Sequence, residues 1–184
     1  MTDTPTRRLP TLGTVPSAPV IATGLIVLAG SPLGLLWAAM SPHVELAAVL
    51  ARPEATLAKQ FAIDVRYLVI TAVAGVLIGL AAASLLHLLR RVGLVPWILG
   101  ALAAGGVLSA LVAARVGERV RLPHSIPAPL ANASPDVRKS VLDLIRFRIH
   151  DYDLLMVLPA FGIVAFVAAI YVSTRTQGVT QRVH

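Results

Sequence analysis

A few side chains flank the apolar runs of this chain at spacings that could do chemistry. His43 and Glu45 stand two apart after the first run, and Asp151 and Asp153 stand two apart before the last, with His150 beside them. Folded together, these imidazoles and carboxylates would make a metal site or an acid–base pair. The spacing matches neither HExxH nor another established ligand pattern, and solvated loop ends are the plainer reading. Asp64 with Arg66, and Arg115 with Glu118, bracket the two middle runs on one side. Salt bridges there, Asp64 with Arg115 among them, would pin helix ends; otherwise each side chain snorkels to water. No residue is assigned a catalytic, cofactor-binding or metal-binding role.

Much chemistry is excluded by what the chain lacks. It has no cysteine, which removes disulfides, thiolate metal sites and cysteine nucleophiles together. It has no P-loop, nucleophile elbow or dinucleotide fingerprint. Inside the apolar runs no Asp, Glu, Lys or Arg lies at mid-depth, whereas proton relays, ion sites and voltage sensors need such residues. The expectation is a protein that is not an enzyme and holds no cofactor.

The positioning elements are long. The chain has 184 residues, of which 57% are hydrophobic and 14% charged, and its mean hydropathy is +0.80. Soluble domains carry about 25% charged residues, so this deficit, gathered in blocks, places the chain in the membrane class. Four runs of about 20 residues, 21–40, 67–89, 94–114 and 154–172, each match a bilayer core of about 30 Å at roughly 1.5 Å per residue. The expected fold is an all-α membrane protein with one four-helix domain over 21–172, a disordered tail 1–20 and a short tail 173–184.

Tyr67–Leu89 and Leu94–Ala114 read as a transmembrane hairpin around Arg90-Arg91-Val92-Gly93, with His87 one turn from the arginine pair. Gly75 and Gly79 form a GxxxG extended by Ala83, and the second member offers Gly100, Gly105, Gly106, Ser109 and Ala113. Small residues on both members suit tight antiparallel packing, although small residues are also common in membrane helices generally. The first run holds another GxxxG, Gly30 with Gly34, and Pro32, which removes a backbone hydrogen bond and kinks the helix. Both tryptophans and all three tyrosines, Trp37, Tyr67, Trp97, Tyr152 and Tyr171, fall within about a turn of a span end, where aromatic belts place them.

The loops are less uniform. In 41–66, Val44, Leu46, Ala48 and Leu50 alternate before Arg52-Pro53-Glu54, and the stretch 55–64 either pairs back as a second strand or runs as a helix into the next span. In 115–153 the first half is broken by Pro123, Pro127, Pro129 and Pro135. An amphipathic helix over about 135–150 follows, with Ser134 as N-cap, Pro135 at N1 and Asp136 complementing the dipole. Val137, Val141, Leu144, Ile145 and Ile149 recur on it among Arg138, Lys139, Arg146 and Arg148, which suits the headgroup layer or the protein's own outer surface. Asn132-Ala133-Ser134 matches the N-glycosylation pattern, and the following Pro135 marks it as a chance match.

Net charge is +7. The basic residues flank apolar runs, so anionic lipid headgroups are the expected partner and nucleic acid is not. With the termini and Arg90-Arg91 inside, that side carries six Lys/Arg and one acid, against ten Lys/Arg and eight acids outside. The outer charges are interleaved with acids, whereas the arginine pair lies at the membrane edge with no acid beside it, which places both termini in the cytoplasm.

Gly34-Leu35-Leu36-Trp37-Ala38-Ala39-Met40-Ser41-Pro42-His43-Val44-Glu45-Leu46, followed by Gln60-Phe61-Ala62-Ile63-Asp64-Val65-Arg66-Tyr67, resembles an uncharacterised family of small actinobacterial multi-pass membrane proteins. The resemblance covers roughly residues 25–116. It implies the plasma membrane, four spans and a short β-hairpin in the first outer loop, although Arg52-Pro53-Glu54 replaces the family's glycine-centred turn. It brings no catalytic residues. The expected function is an accessory or scaffolding subunit of a cell-envelope assembly, meeting a membrane-protein partner or copies of itself. The alternative is a small oligomeric transporter or lipid-handling protein, with Pro32 and Pro159 as hinges and a cavity lined by Ser31, Thr71, Ser84 or Ser109. A membrane enzyme would need His43, Glu45, His150, Asp151 and Asp153 in one cluster.

Overall fold

The computed structural model describes residues 17–42, 53–89, 92–121, 133–145 and 147–180. Its helices are α1 (Ser17–Met40), α2 (Pro53–Leu89), α3 (Val95–Val120), α4 (Pro135–Ile145) and α5 (Val157–Thr180), with 3-10 turns at Val92–Leu94 and Tyr152–Met156. Four segments, Pro19–Met40, Leu57–Leu88, Val95–Val120 and Tyr152–Arg175, are long and apolar enough to cross a membrane. The outward face is greasy: Leu28, Phe61, Leu77, Leu88 and Val164 are all exposed. A bilayer is the solvent that such a surface suits.

The described residues contain no strand, and the expected β-hairpin is not formed there. Residues 53–66 instead belong to α2, one unbroken helix of 37 residues, about 55 Å at 1.5 Å per residue. Proline's fixed φ and missing N–H suit the first turn, so Pro53 starts a helix rather than closing a strand turn. The alternating stretch 43–52, the arginine pair 90–91, the proline-rich 122–132 with the glycosylation-like Asn132, and the tails 1–16 and 181–184 lie outside the described residues.

Two boundaries shift for physical reasons. The amphipathic helix starts as expected, with Val137 N–H donating to Ser134 Oγ (3.4 Å). It ends at Ile145, not near 150, and Phe147 and Ile149 then enter the core from a segment without regular secondary structure. Two inward residues two apart are the period of extended chain, and tertiary burial outweighs the helical repeat that Ile149 would have continued. α1 runs continuously through the exposed Pro32, and the GxxxG beside it is helical.

The glycine-rich hairpin is corrected by its packing. α2 and α3 are consecutive, yet each turns its small residues to a different helix. Gly30 and Gly34 of α1 meet the Ser109 and Ala113 carbonyls of α3, and Gly117 lies against the Trp37 indole. Gly75 and Gly79 of α2 meet the backbone of α5 at Leu158 and Gly162. In both pairs residue numbers rise together, so α1–α3 and α2–α5 are parallel pairs. α3 then joins the pairs through Gly106 against Pro159 and Leu102 near Gly162, and it is the most buried of the four spans. A five-residue link forces consecutive helices antiparallel, but backbone-to-backbone approach, which drives helix association in lipid, is spent on the parallel partners.

Candidate functional site

The polar groups of the bundle gather at two opposite ends. At one end α1 stops at Met40, leaving its last carbonyls without intrahelical partners. The Trp37 carbonyl accepts from Ser41 N–H (3.0 Å). The Ala38 and Ser41 carbonyls accept from the Arg121 guanidinium, the latter at 2.8 Å, and the Pro42 carbonyl lies 3.5 Å from it. The Met40 carbonyl accepts from Arg66. Two arginines from α2 and the end of α3 thus cap α1 from a distance, and their charge complements the negative end of its dipole. The Arg121 guanidinium also lies over the Phe147 ring, 5.2 Å from its centroid. Burial lowers its pKa below the usual arginine value, but an arginine stays charged in proteins.

Beneath Arg121 is an aromatic cluster. Trp37 is fully buried, edge-on to Tyr67 (5.0 Å, 72°) and tilted against Phe147 (4.3 Å). Its indole N–H donates to the Ile63 carbonyl (3.0 Å), and the Tyr67 hydroxyl donates to the Ala110 carbonyl (2.8 Å). The two side chains therefore stitch α1 to α2 and α2 to α3. Trp37 sits at a span end, but Tyr67 lies ten residues inside the Leu57–Leu88 segment, and both are buried; Trp97, Tyr152 and Tyr171 are the outward ones. The cluster closes with Asp64, whose carboxylate accepts from the His150 N–H (3.2 Å) and lies 3.3 Å from His150 Nδ1.

This end is a latch. Asp64 pairs with His150 and not with Arg115, which instead meets Glu118 one turn along its own helix at 3.8 Å. Asp151 Oδ1 accepts from Asp153 N–H (3.0 Å), capping the 3-10 turn rather than joining His150 in a ligand set. His43 and Glu45 lie outside the described residues, and among the described residues no three His, Asp or Glu side chains group to hold a metal. His150 with Asp64 is the geometry of an oriented base, but no nucleophile is placed against the imidazole among the contacts described. Sequence reasoning missed Arg121 and Phe147. Their partners lie 26 to more than 100 positions away, and the only local signal was the two-residue spacing of Phe147 and Ile149.

At the opposite end, where α2 and α5 finish and α3 begins, a cleft of about 630 Å³ opens. Leu80, Ala83, Leu86, Val95 and Ile170 give it apolar walls, and Ser84, His87 and Thr174 line it toward the helix ends. Of the four side chains expected along a pathway only Ser84 reaches it. Thr71 is buried with its hydroxyl donating to the Tyr67 carbonyl (2.8 Å), and Ser109 is buried under Gly30.

Comparison with protein-family models finds no match to this chain, and comparisons with curated proteins and with solved structures find none either.

Proposed function

We propose that the chain is an integral plasma-membrane protein, both termini cytoplasmic, that serves as an accessory or scaffolding subunit of a cell-envelope assembly. The observation carrying this reading is where small residues remain open after the fold has used the rest. A Cβ added at Gly30, Gly34, Gly75, Gly79 or Gly106 would strike a neighbouring helix, but at Gly24 and Gly100 it would meet nothing within 4 Å. The α1–α3 register puts Gly24 level with residue 103, within about a turn of Gly100 in depth, and Ala103 and Ala104 beside it are also exposed. A partner helix could approach the backbone at either glycine as closely as the internal helices approach each other. The actinobacterial resemblance carried by residues 34–46 and 60–67 points to the same membrane.

The test is Gly24→Leu with Gly100→Leu in the full chain, read by co-purification and oligomer size in mild detergent. The reading expects unchanged melting and loss of the partner or oligomer; an unchanged assembly would contradict it. The 630 Å³ cleft favours a second reading, a small lipid-handling protein or transporter.

A further inference from the structure

We propose that the cleft between the ends of α2 and α5 binds one anionic phospholipid, with an acyl chain along its apolar wall and the phosphate at its polar mouth. The inference rests on the bilayer embedding proposed above and adds a specific ligand to it.

Three observations carry it. The first is polarity along the cleft. From Leu80 to His87 the α2 wall advances about 10 Å at 1.5 Å per residue; it is apolar at Leu80, Ala83 and Leu86, and its polar groups, Ser84 and His87, fall in the half nearer the helix end. That gradient is the one a lipid has from chain to headgroup. The second is size: about 630 Å³ falls within the 300–1,000 Å³ of ordinary ligand sites.

The third is charge, which selects the headgroup. Residues 65–117 and 154–184, which supply the walls of the cleft, contain no Asp or Glu, so no carboxylate lines it to meet an ammonium headgroup. The described residues at this end include the cation Arg175. Arg175 follows the lining Thr174, and its guanidinium lies 4.7 Å from the Tyr171 ring centroid, so a cation already occupies one face of this ring. His87 can donate an N–H to phosphate in either protonation state. The Ser84 and Thr174 hydroxyls donate to the Leu80 and Tyr171 carbonyls, leaving their oxygens as mild acceptors for a glycerol hydroxyl.

The probes are dipalmitoyl phosphatidylglycerol, dipalmitoyl phosphatidylcholine and glycerol 3-phosphate, each titrated onto the full chain in neutral detergent, with bound lipid counted by native mass spectrometry. The proposal expects a single phosphatidylglycerol retained with about fivefold preference over phosphatidylcholine, one basic contact's worth, and no competition by glycerol 3-phosphate. Ser84→Trp, at an exposed position, should weaken phosphatidylglycerol about tenfold by filling the cleft without moving the unliganded melting temperature. Thr174→Trp gives the same readout should the first variant misfold. Arg175→Gln should remove the headgroup preference and leave phosphatidylcholine unchanged. Equal binding of the two lipids, undiminished binding by both tryptophan variants, or full competition by glycerol 3-phosphate would overturn the proposal. Alkaline carbonate extraction separates the two levels. A chain released from membranes sinks the embedding itself, and a chain that stays but shows no preference sinks only the lipid site.

Discussion

Replacing Arg121 with Met tests whether the two-arginine cap holds the latch end together. The substitution keeps an unbranched apolar stem and removes the guanidinium from the Ala38, Ser41 and Pro42 carbonyls and from the Phe147 ring. A hydrogen bond to a charged donor contributes about 1.5–3 kcal/mol, and an exposed cation–π contact about 0.5–1 kcal/mol. The contacts share one head, and water can replace part of what is lost because the group is only partly buried. A net loss of about 3 kcal/mol follows. For a chain of this size each kcal/mol moves the midpoint by about 2–4 °C, so thermal unfolding in detergent should fall by about 6–12 °C. Arg121→Lys keeps the charge but not the planar fork that spans several carbonyls, and should lose roughly half as much. A midpoint within about 1 °C of the parent for Arg121→Met would refute the cap, as would equal losses for Met and Lys.

Other substitutions separate the internal contacts from the open ones. Gly34→Leu and Gly79→Leu should each cost more than about 3 kcal/mol, because the new side chain lands on a carbonyl of the facing helix; expression and melting check this. Tyr67→Phe should cost about 1 kcal/mol by melting, since only the bond to the Ala110 carbonyl is lost and the ring stays against Trp37. Asp64→Asn should loosen the 147–151 segment, raising hydrogen exchange at the His150 amide with a melting change of about 1 kcal/mol or less.

Much of this fold is written in hydropathy. Four runs of bilayer length, free of mid-depth charge, leave few alternatives to four helices, and the Ser134-Pro135-Asp136 start is legible because capping is local. Pairing is not local. Gly75 and Gly79 announce that a helix will come close, but nothing in their spacing says whether it is the next in the chain or α5. The proximity of α3 in sequence favoured the wrong one. Trp37 illustrates the same limit. Its position at a span end suits a membrane belt, whereas its burial depends on Ile63 and Tyr67 of α2 and on Phe147, brought from two other segments. Residues 53–66 were ambiguous because Lys59, Asp64 and Arg66 interrupt the apolar pattern, while helix continuity from a proline start needs no apolar face.

The parallel pairing is tested most directly by disulfide trapping, which the natural absence of cysteine makes clean. A Cβ built at Gly105 lies 3.3 Å from the Ile26 Cβ, near the 3.5–4.5 Å a disulfide requires. Ile26→Cys with Gly105→Cys should therefore oxidise rapidly in membranes, whereas Gly79→Cys with Ala104→Cys, level with each other on a packed α2–α3 hairpin, should stay reduced. Rapid trapping of the second pair without the first would contradict the architecture and, with it, the open Gly24 and Gly100 positions on which the proposed function rests.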